Sequence, residues 1–239
     1  MIKKINTEPY IEIPKHKDYL KKDRSDLVIL KQQLRQEKKF EFYQLAFDFI
    51  SENNVRGDYF EFGVHKARTF RMALSEANKN QLNDMYFHAF DSFEGLPGSN
   101  SHSNKLWNKG ALTTSEKEFL SLIKDTTNSL ERVKLIKGFY EDSLTDDLKK
   151  NYLNNHNKIA FLCVDCDLYE SAVPVFNFVS ELITVGSIIY LDDFNVGHKG
   201  NHLQGVSKAF TEFSNKSRFK FREFLNVGWW GKSFITYME

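Results

Sequence analysis

Short apolar runs alternate with helical segments along most of this chain, and this order constrains its fold more than any other feature. Five runs are predicted to be strands: "GDYFEFGV", "DMYFHAFDSF", "RVKLIKG", "KIAFLCVD" and "GSIIYLDD". Segments with helical spacing lie among them, as in "RTFRMALSEANK" and "SAVPVFNFVSELI". Such alternation predicts right-handed crossovers and a parallel sheet with helices on both faces. Two further runs, "FKFREFL" and "KSFITYME", complete a predicted α/β fold with a mostly parallel seven-stranded sheet.

The 239 residues suit one α/β domain with an N-terminal appendage. Residues 1–37 are polar, rich in lysine and aspartate, and carry two of the four prolines, Pro9 and Pro14. We predict an extended arm and a charged helix in this segment. Residues 38–239 are predicted to form the domain that carries the sheet, beginning with a helix in "KFEFYQLAFDFISEN".

The composition argues against nucleic-acid and membrane partners. The formal net charge is +1, which indicates no broad electrostatic attraction to nucleic acid. No apolar stretch approaches the ~20 residues of a transmembrane helix, and the first residues lack the apolar core of a secretory signal. We therefore predict a cytoplasmic protein.

The two cysteines, Cys163 and Cys166, have the C-x-x-C spacing of redox motifs. A redox pair needs the start of a helix, where the thiolate is stabilised. Cys163 instead lies within a predicted strand, and three residues along a strand direct the two side chains to opposite faces. We therefore interpret both cysteines as structural.

Acidic residues stand at or near the carboxyl ends of four predicted strands: Glu61, Asp91, Asp165, and the pair Asp192 and Asp193. In parallel sheets, ligands bind outside the carboxyl ends of the strands. One acidic strand end is common, but four at one edge of the sheet predict a ligand site.

Asp91 follows the second strand, where nucleotide-binding α/β folds place an acid against ribose hydroxyls. The alternative is an aspartate that caps a turn or a helix. Gly63 is the only glycine of "EFGVHKARTF", so the G-x-G-x-x-G pattern of dinucleotide sites is missing. This argues against a nicotinamide oxidoreductase and is compatible with a nucleoside ligand without phosphate.

Asp165, Asp192 and Asp193 form a sharper cluster, because three converging carboxylates repel one another unless they are protonated or neutralised. A hard divalent cation with oxygen ligands is the usual solution. The alternative is that these acids cap helices and bind lysine or arginine.

Residues 96–114 form a loop that is too long to be a simple connection, with Trp107 as its single large anchor. We predict that it is a lid and that Trp107 packs toward the ligand. Trp229 and Trp230 are further candidates for the pocket lining, with ordinary packing as the alternative.

Several segments, in this order and spacing, resemble the macrocin O-methyltransferase family: "GDYFEFGVHKARTF", "FDSFEGLPG", "WNKGALTTSEKEF", "LIKGFYEDSL", "VDCDLYESA" and "GSIIYLDDF". The resemblance spans roughly residues 40 to 232. It implies a Rossmann-like class I methyltransferase fold for residues 38–239. It also implies an enzyme that uses S-adenosylmethionine (SAM) and a divalent metal to methylate sugar hydroxyls.

The resemblance also implies roles for individual residues. The cofactor site would comprise Glu61 and Gly63 beside the methionine part of SAM, Asp91 at the ribose, and Ser92, Gly138 and Phe139 around the adenosine. Asp165, Asp192 and Asp193 would hold Mg²⁺ or Mn²⁺. Asp165 is the first candidate for the base that takes the proton of the hydroxyl, and His198 is the second.

The resemblance thus implies an O-methyltransferase whose acceptor is a nucleotide-linked sugar or a glycosylated metabolite. One alternative keeps methyl transfer but changes the acceptor to a catechol-like molecule. Another is a catalytically impaired SAM-binding protein, because Ala67 and Arg68 stand where the family often has two glycines. Alanine is expected to cost little there, and Arg68 is expected at the rim of the pocket. The oligomeric state is left open, with a homo-oligomer as one alternative.

Overall fold

A computed structural model describes residues 24–96, 110, 112–124, 126 and 130–239 of the chain. Its centre is a sheet of seven strands in the order β3-β2-β1-β4-β5-β7-β6. All neighbouring strands are parallel except β7, which runs antiparallel to both β5 and β6. The strands are β1 Asp58–Phe62, β2 Phe87–Asp91, β3 Val133–Lys137, β4 Ile159–Val164, β5 Ile183–Leu191, β6 Lys220–Val227 and β7 Gly231–Tyr237. The predicted fold class is confirmed.

Seven α-helices accompany the sheet in the described ranges: α1 Arg24–Glu52, α2 Arg68–Lys79, α3 Glu116–Ile123, α4 Tyr140–Ser143, α5 Asp146–Asn154, α6 Tyr169–Val179 and α7 Gly205–Lys216. Helix α5 was not predicted from its apolar spacing. It begins where the Thr145 side chain accepts a hydrogen bond from the Leu148 amide. None of the helices in the described residues is long and apolar enough to cross a membrane.

Helix α1 is continuous through the predicted boundary between residues 37 and 38. The segment from Arg24 to Glu52 contains neither glycine nor proline, so no residue in it interrupts the helix. Residues 1–23 lie outside the described residues, and a separate N-terminal unit stays a prediction.

Helix α3 begins where the Ser115 hydroxyl accepts a hydrogen bond from the Glu118 amide. The Glu118 carboxylate does not complete a capping box, because it pairs with Lys66.

The strands of the sheet place alternate side chains in two cores. Tyr59 and Phe161 pack with α1, α2 and α3 on one face, whereas Phe60 and Leu162 pack with α5, α6 and α7 on the other. Strands that are buried on both faces have continuous apolar runs, as "IAFLCV" of β4 does. The thiols of Cys163 and Cys166 are free and belong to opposite cores, as expected for structural residues.

A buried polar network lies at the end of the sheet opposite the acidic strand ends. His88 Nε2 lies 3.1 Å from Asp58 Oδ2, and His88 Nδ1 lies 2.7 Å from the Tyr152 hydroxyl oxygen. Burial lowers the pKa of His88, which favours the neutral ring despite the neighbouring Asp58 carboxylate. A neutral ring that donates from Nε2 to Asp58 accepts at Nδ1 from Tyr152.

We expect Tyr152→Phe to lower the free energy of unfolding by about 1–3 kcal/mol, because His88 Nδ1 would remain buried without a donor. Urea denaturation measures the change. Tyr86→Phe is the matched control, because Tyr86 is 40% exposed. Equal losses of stability in the two variants would contradict a specific role for the buried network.

Candidate active site

A cavity of about 450 Å³ lies at the carboxyl ends of β1, β2, β4 and β5. It is the place where the acidic strand ends were predicted to meet. Strand order reverses between β1 and β4, since β2 lies on one side of β1 and β4 on the other. Crevices at such reversals are the usual ligand sites of open α/β sheets.

One part of the cavity lining contains five of the six predicted cofactor residues: Gly63, Asp91, Ser92, Gly138 and Phe139. Gly63 has a φ of 92°, and a Cβ atom there would lie 1.9 Å from the Asp165 carbonyl oxygen. A side chain would collide with the backbone that follows β4. Glycine is therefore required for β1 and β4 to end side by side at the cavity.

The Asp91 carboxylate fastens the turn that follows β1 to the end of β2. Its Oδ2 accepts hydrogen bonds from the amides of Val64 at 2.9 Å and His65 at 3.3 Å. Its Oδ1 accepts from the Phe93 amide at 2.8 Å. A carboxylate offers about four acceptor sites, so Asp91 retains capacity for a further donor in the cavity.

Glu61, the sixth predicted cofactor residue, does not line the cavity. Its side chain is fully buried and accepts hydrogen bonds from Thr69 Oγ1 at 2.6 Å and from the Tyr59 hydroxyl. Burial raises the pKa of Glu61 to about 7. Glu61 thus ties β1 to the first turn of α2, and contact with a ligand in the cavity would be indirect.

The turn between β1 and α2 contains the departure from the family pattern. Ala67 has a left-handed conformation, with φ 56° and ψ 22°. Glycine adopts this conformation without strain, whereas other residues incur about 1–2 kcal/mol. The expectation that alanine costs little is therefore too favourable. Arg68 lines the cavity, as expected.

Asp165, Asp192 and Asp193 do converge at the ends of β4 and β5. One carboxylate oxygen from each lies within 4.8 Å of those of the other two. Asp192 Oδ1 accepts a hydrogen bond from the Tyr190 hydroxyl. Asp193 Oδ2 is buried and has no hydrogen-bond partner in the described residues.

Lys39 of α1 also reaches this acidic cluster, and the sequence analysis missed it. Its Nζ lies 2.8 Å from Asp192 Oδ2 and 3.4 Å from Asp165 Oδ2. Burial would lower the pKa of Lys39, but the carboxylates of Asp165 and Asp192 raise it above its ordinary value. The predicted alternative, in which these acids bind a lysine, therefore applies to Asp165 and Asp192.

The donor set fits a hard divalent cation. It consists of carboxylate oxygens, and one buried oxygen of Asp193 lacks a hydrogen-bond partner among the residues described. One ammonium offsets only one of three carboxylate charges. Burial and then a neighbouring carboxylate raise the pKa of both Asp165 and Asp193. At Asp192 burial also acts to raise the pKa, but the charge and hydrogen bond of Lys39, together with the Tyr190 hydrogen bond, lower it overall. Additional positive charge would therefore stabilise the ionised cluster.

Asp167 is a fourth acid at this site that the sequence analysis did not select. It lines the cavity and has a left-handed backbone, with a φ of 60°. Burial, and then the nearby Asp165 carboxylate, raise the pKa of Asp167 to about 7. Its place in "VDCDLYES", two residues after Asp165, was the available signal.

Helix α1 forms a polar wall of the cavity. The wall consists of residues at helical spacing that all line the cavity: Gln32, Arg35, Gln36 and Lys39. The amide oxygen of Gln36 is buried and has no hydrogen-bond partner in the described ranges. The guanidinium carbon of Arg35 lies 5.6 Å and 5.1 Å from the ring centroids of Trp229 and Trp230.

Other predicted site residues are not brought to the cavity. His198 is not among the residues that line it, and neither are Trp229, which is 64% exposed, and Trp230, which is buried. Residues 97–109 and 111 of the predicted lid, including Trp107, lie outside the described residues. Leu96 and Leu112, near the two ends of that loop, line the cavity.

Comparison with known proteins identifies the family. The model of the macrocin-O-methyltransferase (TylF) family matches residues 4–234. No curated protein matches the sequence significantly.

Solved structures share the fold at low sequence identity. The O-methyltransferase NovP is 20% identical, with a TM-score of 0.68 over 83% of this chain and 79% of NovP. The calicheamicin methyltransferase CalS11 is 19% identical, with a TM-score of 0.68 over 89% of this chain and 85% of CalS11.

The O-methyltransferase TomG from Streptomyces achromogenes, solved in complex with SAM, is 11% identical, with a TM-score of 0.54 over 83% of this chain and 80% of TomG. The family match covers nearly the whole chain, and the sheet has the class I methyltransferase architecture of these structures. The chain therefore belongs to the macrocin-O-methyltransferase family and is a SAM-dependent O-methyltransferase.

Proposed function

We propose that this enzyme methylates a hydroxyl group of a sugar, carried by a nucleotide or by a glycosylated metabolite, and that it uses Mg²⁺ or Mn²⁺. The observation that carries the proposal is one cavity that is lined by both Asp91 and the acidic cluster of Asp165, Asp192 and Asp193. A structure of CalS11, which shares the fold at 17% identity, is described as a TDP-rhamnose 3′-O-methyltransferase, which supports a sugar acceptor.

At the cofactor end, Asp91 would accept hydrogen bonds from the ribose hydroxyls of SAM. Ser92, Gly138 and Phe139 would border the adenosine, and Gly63 leaves the backbone open beside the methionine part. Bound SAM supplies an electrophilic methyl group on its sulfonium. Glu61 would act indirectly, because its hydrogen bond to Thr69 holds the start of α2 against β1.

At the acceptor end, Asp165, Asp192 and Asp193 would hold the divalent cation. The ion supplies positive charge that lowers the pKa of a hydroxyl group next to it. Asp165 is the proposed base and would take the acceptor proton on a carboxylate oxygen. It lines the cavity with a side chain that is 24% exposed, whereas His198 does not line the cavity. A positioned base contributes typically ~10²–10⁴-fold to the rate.

The polar wall of α1 favours a sugar over a catechol-like acceptor. Gln36 has a buried amide oxygen that lacks a hydrogen-bond partner in the part of the chain that the structure describes, and a sugar hydroxyl can donate to it. Arg35 lines the cavity, where its guanidinium would pair with a phosphate of a nucleotide-linked sugar. A catechol ring would leave much of this polar wall without hydrogen-bond partners.

We expect exhaustive treatment with EDTA to lower methyl transfer by at least about 100-fold, and Mg²⁺ or Mn²⁺ to restore it. The measurement is the formation of S-adenosylhomocysteine across a panel of nucleotide sugars and catechols. Asp193→Asn should lower the rate similarly, while the exposed control Asp84→Asn should not. Full activity after removal of the ion would contradict metal dependence, and turnover of catechols alone would contradict the sugar acceptor.

We expect Asp91→Asn to weaken SAM binding by at least about 1.5 kcal/mol, because it loses hydrogen bonds to a charged acceptor. Isothermal titration calorimetry measures the affinity, and thermal melting without ligand tests whether the turn after β1 survives. Asp84→Asn is again the control. An affinity equal to that of the wild type would remove Asp91 from the cofactor site.

We expect Gln36→Leu to raise the KM for the nucleotide sugar that the panel identifies by roughly five- to tenfold, without changing the KM for SAM. Gln33→Leu is the matched control on the same helix. Within the described ranges the amide oxygen of Gln33 is also buried and lacks a hydrogen-bond partner, but Gln33 does not line the cavity. If both variants changed the acceptor KM equally, the polar wall would not contact the acceptor.

A further inference from the structure

We propose that Lys39 is an internal cation of the acidic cluster, which competes with the divalent ion and so sets how tightly the cluster binds it. The inference rests on the proposed divalent-ion site. It goes beyond that site because it assigns the control of ion affinity to a residue outside the three carboxylates, on a helix far away in the sequence.

The ammonium group of Lys39 lies between the carboxylates at two strand ends. Its ammonium contacts Asp192 Oδ2 at 2.8 Å and Asp165 Oδ2 at 3.4 Å, and so bridges the ends of β5 and β4. The Lys39 side chain is 9% exposed, so water screens these contacts little. The ammonium therefore occupies oxygens that a divalent ion would need.

The hydrogen bonds of the cluster show which oxygens are already taken. Both oxygens of Asp192 have donors, Lys39 on Oδ2 and Tyr190 on Oδ1. Asp193 Oδ2 has no partner in the described residues. An incoming divalent ion can bind the unpartnered Oδ2 of Asp193. To bind Oδ2 of Asp192 or Asp165, it must either share that oxygen with the Lys39 ammonium or displace the ammonium. Two positive centres on the same carboxylates repel, so Lys39 weakens ion binding.

Lys39 also has a consequence for folding without the ion. Removing its charge leaves three carboxylates facing one another with no other cation within 4.0 Å among the described residues. A buried charge that loses its partner is strongly destabilising. A neutral residue at position 39 should therefore make the folded state depend on a divalent ion, whereas the wild type has its own counter-charge.

The test compares Mn²⁺ binding by the full-length wild type and Lys39→Met, measured by electron paramagnetic resonance and by melting with and without Mn²⁺. We expect Lys39→Met to bind Mn²⁺ at least about tenfold more tightly. Without the ion it should melt below the wild type, and Mn²⁺ should raise its melting temperature more than that of the wild type. Lys39→Arg, which keeps the charge, should bind Mn²⁺ as weakly as the wild type.

Lys38→Met is the matched control, since Lys38 precedes Lys39 on α1 but is exposed and pairs with Glu41. It should bind Mn²⁺ like the wild type. If Lys39→Met does not fold without the ion, refolding in millimolar Mn²⁺ becomes the measurement. Recovery by Mn²⁺ supports the inference, and failure to recover overturns it.

Two further outcomes separate this inference from the proposed function. Equal and measurable Mn²⁺ affinities in the wild type and Lys39→Met would overturn the competition but leave the divalent-ion site standing. Absence of Mn²⁺ binding in both proteins would overturn the site and the competition together.

Discussion

The ion pair between Lys39 and the acidic strand ends is the interaction on which the site depends. Asp165 and Asp192 end adjacent parallel strands, so the sheet itself forces their carboxylates together. Without a cation, such an arrangement favours protonated acids or a loosened edge. Lys39 crosses from α1 to this edge, and it couples the helix that covers one face of the sheet to the chemistry at its end.

The reversal of strand order between β1 and β4 explains why Asp91 and the acidic cluster share one cavity. β1 leads into the turn held by Asp91, and β4 leads into Asp165. Gly63 lets the two strand ends lie in direct backbone contact. Methyl transfer requires such short distances between neighbouring strand ends, because a methyl donor and a hydroxyl must be held in near-attack geometry for efficient transfer.

Helix α1 has two roles, which are carried by successive parts of its length. Phe42, Tyr43 and Phe47 pack on the sheet through aromatic contacts with Phe161. One to four turns earlier, Gln32, Arg35, Gln36 and Lys39 face the cavity. The same rigid element therefore builds the core and presents polar groups to the cavity. Sites on rigid elements keep their geometry better than sites on loops.

The local sequence determined those structural elements that depend only on interactions between neighbouring residues. Apolar runs bounded by polar segments predicted all seven strands, and the acids at the run ends predicted the edge at which the cavity lies. The extent of α2 followed from helical spacing within a few residues. Periodicity and capping are short-range effects, so one sequence suffices to read them.

Only the tertiary structure decided which distant side chains meet. Lys39 pairs with acids 126 and 153 residues away, and no local pattern marks that choice among the other lysines of α1. The Glu61 side chain contacts Thr69 rather than the cavity, because its position on β1 faces α2. The His198 ring lies beside Gly205 instead of at the strand ends. These outcomes depend on how helices pack across the sheet, which brings together residues that the order of the chain keeps apart.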